Sequence, residues 1–208
     1  VRVDDERLEP LWESAGELNV PVLVHVADPV AFFDKVDHTN ERWEELGNHE
    51  DWRFTSPPFP SFISIIEDFA NLVRQHKNTT FIGAHVGCYA ENFGWVGNLL
   101  DECPNFYVDI SARLGEIGRQ PYTARKFFIN YADRILFGTD ADARLETYQL
   151  YYRFLETDDE YFNYNISDVP KQGRWYVYGL HLPDNVLEHV YFKNAEKVIF
   201  KQSKLTQK

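Results

Sequence analysis

The sequence predicts an α/β fold in which a parallel sheet alternates with covering helices, built at the pace of a (β/α)8 barrel. Three observations carry this. Short β-branched or aromatic runs over 22–26, 80–85, 106–110 and 135–140 alternate with helical patterns, which implies right-handed crossovers and a parallel sheet. Past a long insert after the first run, the strands recur about every 25–30 residues, as the units do in a barrel of about 250 residues. Only four strands are legible, so the pattern reads as half a barrel.

Taken in order, Asp4 and Asp5 stand where they would cap a helix with Leu8, Leu11, Trp12, Ala15 and Leu18 on one face, and Pro21 ends it. Residues 22–26 (Val-Leu-Val-His-Val) lack alternation and read as a strand buried on both faces. A long stretch over 27–60 carries Pro29, Pro57, Pro58 and Pro60 and one short helix around 40–46. From Ser61, the residues Phe62, Ile65, Ile66, Phe69, Leu72 and Val73 mark a second amphipathic helix. Strand 80–85 then leads to a helix over about 91–102. Strand 106–110 leads to one over about 123–131, and strand 135–140 to one over 145–155. A loop rich in Asp, Tyr and Phe over 156–182 precedes a last helix opening at Pro183-Asp184.

Composition narrows the function. With 208 residues, 44% of them hydrophobic, the chain can bury a sizeable core, which argues against disorder. No apolar run approaches the roughly 18 residues of a membrane span. A net charge of −12 disfavours nucleic acid and anionic membranes as general partners, and leaves room for a local basic pocket. Cys88 and Cys103 fit neither a disulfide scaffold nor a cysteine zinc site. Met is absent, even at position 1, so a piece of a longer chain is expected.

Catalytic groups of a barrel sit at the C-terminal ends of its strands. Three runs end there in residues suited to metal or proton chemistry, His25, His85 and Asp140, and the fourth ends in Asp109 and Ser111. Two neutral imidazoles and a carboxylate suit a divalent ion with one position open for water, and a nearby His or Asp can shuttle that water's proton. Singly, each has an ordinary reading: a strand-end His is commonly a packed one, and Asp140 after Gly-Thr would cap the next helix. Recurrence of three at one structural level favours a site.

The runs VLVHVADP (22–29), FIGAHVG (81–87), FYVDIS (106–111) and ILFGTDAD (135–142) resemble, in order and spacing, the amidohydrolase superfamily. The likeness is to its amidohydrolase-related (amidohydrolase 2) branch, which includes enzymes like aminocarboxymuconate-semialdehyde decarboxylase. The closing LPDNVLEHVYFKNAEKVIF (182–200) is similar to that branch's terminal helix. The resemblance implies one TIM-type barrel domain over 1–208, of which the chain carries roughly the last four βα units. It further implies metal ligation by His25, His85 and Asp140, with catalytic roles for Asp140 and His85. The implied cofactor is a divalent metal ion, zinc first, with manganese or iron as alternatives. The implied reaction is attack of a metal-activated water on a C–N or C–O bond of a small carboxylate-bearing substrate. Zinc-dependent non-oxidative decarboxylation is the alternative, since it uses the same groups.

The family's first strand ends in a His-x-His pair, and no His-x-His occurs here. The expectation is a homo-oligomer, or pairing with a missing N-terminal half; a non-catalytic barrel fragment serving binding or assembly is the competing reading. Arg113 and Arg119, with Glu116 and Tyr122, follow the third strand on the presumed rim, where either arginine would clamp a carboxylate or form a rim ion pair. Trp52, Phe54 and Phe59 on the long insert would form an apolar lid over substrate, or simply cover the barrel top.

Overall fold

The computed structural model describes residues 2–165 and 172–200. Its spine is a four-stranded parallel sheet in the order β1-β2-β3-β4, with β1 at Val22–Val24, β2 at Phe81–Gly83, β3 at Phe106–Asp109 and β4 at Ile135–Leu136. Register runs Leu23↔Ile82↔Tyr107 and then Asp109↔Leu136, which sets these side chains on one face. The opposite face carries Val24, Phe81, Phe106, Val108 and Ile135 into the main core.

That core is sealed by the crossover helices. Asp5 caps a 3-10 turn that runs into α1 (Glu9–Glu17), which buries Trp12 and Ala15. Ser61 caps α3 (Phe62–Gln75), where Ile66, Phe69, Leu72 and Val73 are wholly buried. Each such side chain contributes about 1.5–3 kcal/mol by leaving water. Asn92 caps α5 (Phe93–Glu102), and α7 (Pro121–Asn130) opens on a proline, whose missing N–H costs nothing at a helix start. Then come α8 (Leu145–Glu156) and α9 (Asp184–Glu188), which passes through a π turn into α10 (Asn194–Val198).

The face that carries Leu23, Ile82, Tyr107 and Leu136 is the inner face of a barrel. Ile82, Tyr107 and Leu136 form a small cluster there, covered by Ala195 and Val198 of the terminal helix. Asn194 locks that helix beneath β4, donating to the carbonyls of Ala132 and Ile135 at 2.7 Å each. Val190 O accepts from Phe137 N at 2.9 Å, so the same segment also closes the β4 edge.

All four expected strands form, each shorter than expected, and two are cut most. Strand 80–85 stops at Gly83 because His85 and Val86 take positive φ, and strand 135–140 stops at Leu136. The expectation that the first strand is buried on both faces is corrected: Leu23 is 61% exposed. It lies on an edge strand whose inner face is covered by no element among the described residues. Leu11 and Leu18 also point outward, because α1 buries a stripe only as wide as Trp12, Ala15 and Gly16. One helix went unforeseen, α6 (Leu114–Gly118), immediately after β3. The short helix of the insert forms one turn later than expected, as α2 (Trp43–Asn48). Of the expected loop over 156–182, residues 166–171 lie outside the described residues; the remainder is irregular apart from a Phe162–Val177 bridge. Among the described residues no helix is long and apolar enough to cross a membrane.

Candidate functional site

The strand ends build a polar centre on the C-terminal side of the sheet. At the end of β2, a short left-handed turn, α4 (Ala84–Gly87), folds the chain back on itself. Gly83 permits it, since a Cβ there would stand 2.8 Å from the Cα of Gly87 and 2.9 Å from Phe106. His85 (φ 57), Val86 (φ 59) and, after β4, Asp140 (φ 52) all occupy the left-handed region. For a β-branched valine this is a true outlier, and such strain costs on the order of 1–3 kcal/mol per residue. It falls on the two strand ends that carry His85 and Asp140.

His85 is held by a bracket from β3. Asp109 Oδ1 accepts from the backbone N–H of His85 (2.9 Å), from Ser111 N–H (3.0 Å) and from the Ser111 hydroxyl (2.6 Å). The His85 Nδ1 lies 2.8 Å from Ser111 O and 3.0 Å from Ser111 Oγ. Since the carbonyl can only accept, this network puts the ring proton on Nδ1 and leaves the Nε2 lone pair free. Nε2 faces Asp140 Oδ2 at 3.8 Å. Burial lowers the His85 pKa, and the positive charge of Arg113 lowers it further, so the imidazole is kept neutral. His25 meets the His85 ring edge-on at 5.0 Å between centroids, with its own Nε2 4.0 Å from Asp28 Oδ1. Cys88 is a buried thiol whose sulfur accepts from Val26 N at 3.4 Å, tying the β1 end to the α4 turn. The hydroxyl of Tyr151 from α8 accepts from Ala112 N (3.0 Å) and approaches Thr139 O (3.4 Å), joining the ends of β3 and β4.

His25, His85 and Asp140 are therefore brought together. Asp140 and His25 are well exposed, and His85 is buried against its bracket. Neutral imidazole nitrogens and a carboxylate form a donor set for a divalent ion, and two donors sharing one ion at bonds of roughly 2 Å stand within about 4 Å of each other. His85 Nε2 and Asp140 satisfy that spacing. Among the described residues, however, no group of three or more His, Cys, Asp or Glu is gathered closely enough to hold a metal by itself. The donors fit a metal in chemistry and furnish only part of its coordination.

The other candidates are placed differently. Trp52 stacks on His49 (4.0 Å) and Phe32 (6.1 Å) within the insert, with no ring contact to the histidine pair. Arg119 forms a two-pronged pair with Glu41 (2.6 and 2.9 Å) and lies over the Trp175 ring at 4.2 Å. Arg113, at 6% exposure, donates to Ala112 O at 3.1 Å. A cavity of about 500 Å³ opens beside Asp140, walled by Ala112, Leu114, Thr147, Tyr151 and Tyr164.

Behind the rim lies a buried charge cluster. Arg42 joins Glu45 (2.6 Å) and Glu116, with its guanidinium over Phe32 and Trp175 at 5.6 and 5.5 Å. Arg42 holds the Glu116 carboxyl below its usual pKa despite complete burial. With Glu41–Arg119 and Glu44–Arg174, this clamps the start of α2 onto α6 and the C-terminal loop. Glu116 was legible as a rim residue, but its partner lies 74 positions away and left no local signal.

Fold and site together define the class: βα units of a TIM-type barrel with a His/Asp centre at the C-terminal ends of its strands. The particular family is shown by comparison. The chain belongs to the amidohydrolase family, whose amidohydrolase-2 model, described as Amidohydrolase, matches residues 1–201. Among solved structures it is similar to an uncharacterised TIM-barrel protein from Bordetella bronchiseptica (TM-score 0.53, 16% identity, 98% of this chain and 53% of the other). It is also similar to a dihydroxybenzoic acid decarboxylase from Polaromonas sp. JS666 with bound manganese and the inhibitor 2-nitroresorcinol (TM-score 0.51, 16% identity, 98% and 56%). The chain spans about half the length of these structures. No curated protein matches it in sequence.

Proposed function

We propose that the chain carries one side of the active site of a divalent-metal-dependent hydrolase acting on a C–N or C–O bond of a small carboxylate-bearing compound. The observation that carries this reading is His85, locked by Asp109 and Ser111 with its free Nε2 turned to Asp140. His25, His85 and Asp140 would hold the ion, and the ligands still needed come from outside these residues, from the rest of a barrel or from a partner copy. Zinc is the first choice and manganese, present in the Polaromonas decarboxylase, the second. Such an ion supplies Lewis acidity and an acidified water. Asp140, exposed and next to His85, takes the proton of the attacking water and returns it to the leaving group. His85 would offer the Nε2 lone pair to the ion, its ring fixed by the Nδ1–H that it donates to the Ser111 carbonyl.

Decarboxylation is a second reading, favoured by that same neighbour. The test is an assay of small carboxylate amides and esters, and of dihydroxybenzoates, before and after chelation. The reading expects turnover that is lost with chelator, restored by a divalent ion, and absent in His25→Ala and Asp140→Asn at unchanged melting temperature. Turnover that survives the chelator would contradict it.

A further inference from the structure

We propose that the cleft between α1 and the turn preceding β2 is a binding site for a linear aliphatic polyamine. Its walls come from residues 9–19 and 75–79, which precede β1 and β2, so it opens at the N-terminal ends of the strands, away from His25, His85 and Asp140. The inference is independent of the metal reading.

The cleft holds about 590 Å³, the size of a small-molecule site. Glu9, Glu13 and Glu17 line it, and Lys77 is the one cation among its lining residues. Spaced four residues apart, the three glutamates follow one face of α1 with about 6 Å of rise between successive ones. Like charges at this spacing repel, and Glu17 also stands at the helix C-terminus, where the dipole disfavours an anion. Glu13 and Glu17 have no ion pair among the described residues.

His76 is the observation that points to a ligand. It ends α3, is 8% exposed, and its Nε2 is sealed from solvent with no hydrogen-bond partner. That nitrogen stands 3.3 Å from Glu9 Oε2 without a hydrogen bond between them, so neither atom satisfies the other. A buried polar atom left in this way is costly. Its surroundings are held firmly. Asn105 Nδ2 donates to the carbonyls of His76 (3.1 Å) and Thr79 (3.0 Å), and Thr79 Oγ1 donates to Trp12 O at 2.7 Å, which pins the turn to α1. The Glu9 side chain, 49% exposed, has room to swing, so an ammonium group can enter between it and His76 and donate to both.

Among the described residues no three His, Cys, Asp or Glu side chains are gathered closely enough to share one metal ion, so this cleft suits an elongated cation rather than a point ion. Amines separated by three or four carbons match the spacing of the glutamate row. One ammonium sits at Glu9 and His76, and the next ones follow along Glu13 and Glu17.

The test is calorimetric titration of the chain at pH 8 in about 0.15 M salt, which screens long-range charge effects. The probes are spermidine, 1,4-diaminobutane and magnesium ion. Spermidine should bind saturably and more tightly than 1,4-diaminobutane, should move the His76 imidazole signals in nitrogen-15 NMR, and should not be displaced by an equal concentration of magnesium. Glu13→Gln and His76→Asn should each weaken spermidine at least about threefold. Glu160→Gln, which removes the same charge from the exposed loop after α8, should leave binding unchanged. Thermal melts establish that each variant is folded; if His76→Asn does not fold, Glu13→Gln against Glu160→Gln decides.

No saturable binding of spermidine, or its displacement by magnesium at equal concentration, overturns the proposal. Equal loss in Glu13→Gln and Glu160→Gln also overturns it, because it marks the general negative field of the chain rather than a site. So does binding that a folded His76→Asn leaves unchanged.

Discussion

Arg42→Leu tests whether the clamp on the long insert holds by charge pairing in a dry interior. The Arg42 side chain is 1% exposed and that of Glu116 is fully buried, so neither water nor salt screens the pair. Removing the guanidinium strands the Glu116 carboxylate, one of whose oxygens already has no hydrogen-bond partner. Breaking a buried pair from one side costs about 3–5 kcal/mol. Losing the stacking on Phe32 and Trp175 adds on the order of 0.5–1 kcal/mol. For a protein of this size a loss of 3–5 kcal/mol lowers the melting temperature by about 6–20 °C. The companion Arg42→Leu/Glu116→Leu removes both charges and leaves apolar volume, so it should be more stable than Arg42→Leu alone. Urea melts of the wild type, the two single variants and the double variant measure all of this. A cost below about 1 kcal/mol for Arg42→Leu, or additive costs in the double variant, would refute the reasoning.

Three further outcomes are expected. Asn194→Ala leaves the half-buried Ala132 carbonyl and the buried Ile135 carbonyl without this donor and should cost about 2–4 kcal/mol in urea melts; a loss under about 0.5 kcal/mol would mean water replaces the amide. Gly83→Ala forces a methyl to within 2.8 Å of the Gly87 backbone, so a loss of about 1–3 kcal/mol is expected, and a neutral result would mean the His85 turn relaxes easily. The neutral, buried His85 has a pKa below the usual 6.5, so the unfolded chain takes up its proton first. Its stabilising share is therefore complete above about pH 6.5 and is lost as pH falls through the window beneath it. In chelator, the drop in urea midpoint from about pH 7.5 to 5.5 should be smaller for His85→Asn than for the wild type, and an equal drop would show that His85 is not held neutral.

What the sequence disclosed follows from the range of the interactions involved. Parallel strands buried under crossover helices announce themselves through local apolar runs, so β1 to β4 and the helices between them were visible at nearly the right places. Their ends were not, because the left-handed turn at His85 and Val86 depends on the packing of Gly83 and Gly87 against Phe106. His25, His85 and Asp140 were legible as strand-end residues, and the structure sets them side by side. The bracket of Asp109 and Ser111 was visible only as residues at a strand end, since its meaning lies in hydrogen bonds to a residue 26 positions away. The pairing of Arg119 with Glu41 depends on where the long insert folds back, which periodicity does not encode. The exposure of Leu23 likewise reflects what stands beside the sheet rather than the run containing it.

The central claim is that His25, His85 and Asp140 form one side of a metal centre. Elemental analysis after incubation with zinc or manganese and removal of free ion tests it most directly. The account predicts uptake that saturates at one ion per chain and is lost in His25→Ala, in His85→Asn and in Asp140→Asn. No uptake by the wild type, or uptake that these substitutions leave unchanged, would contradict it.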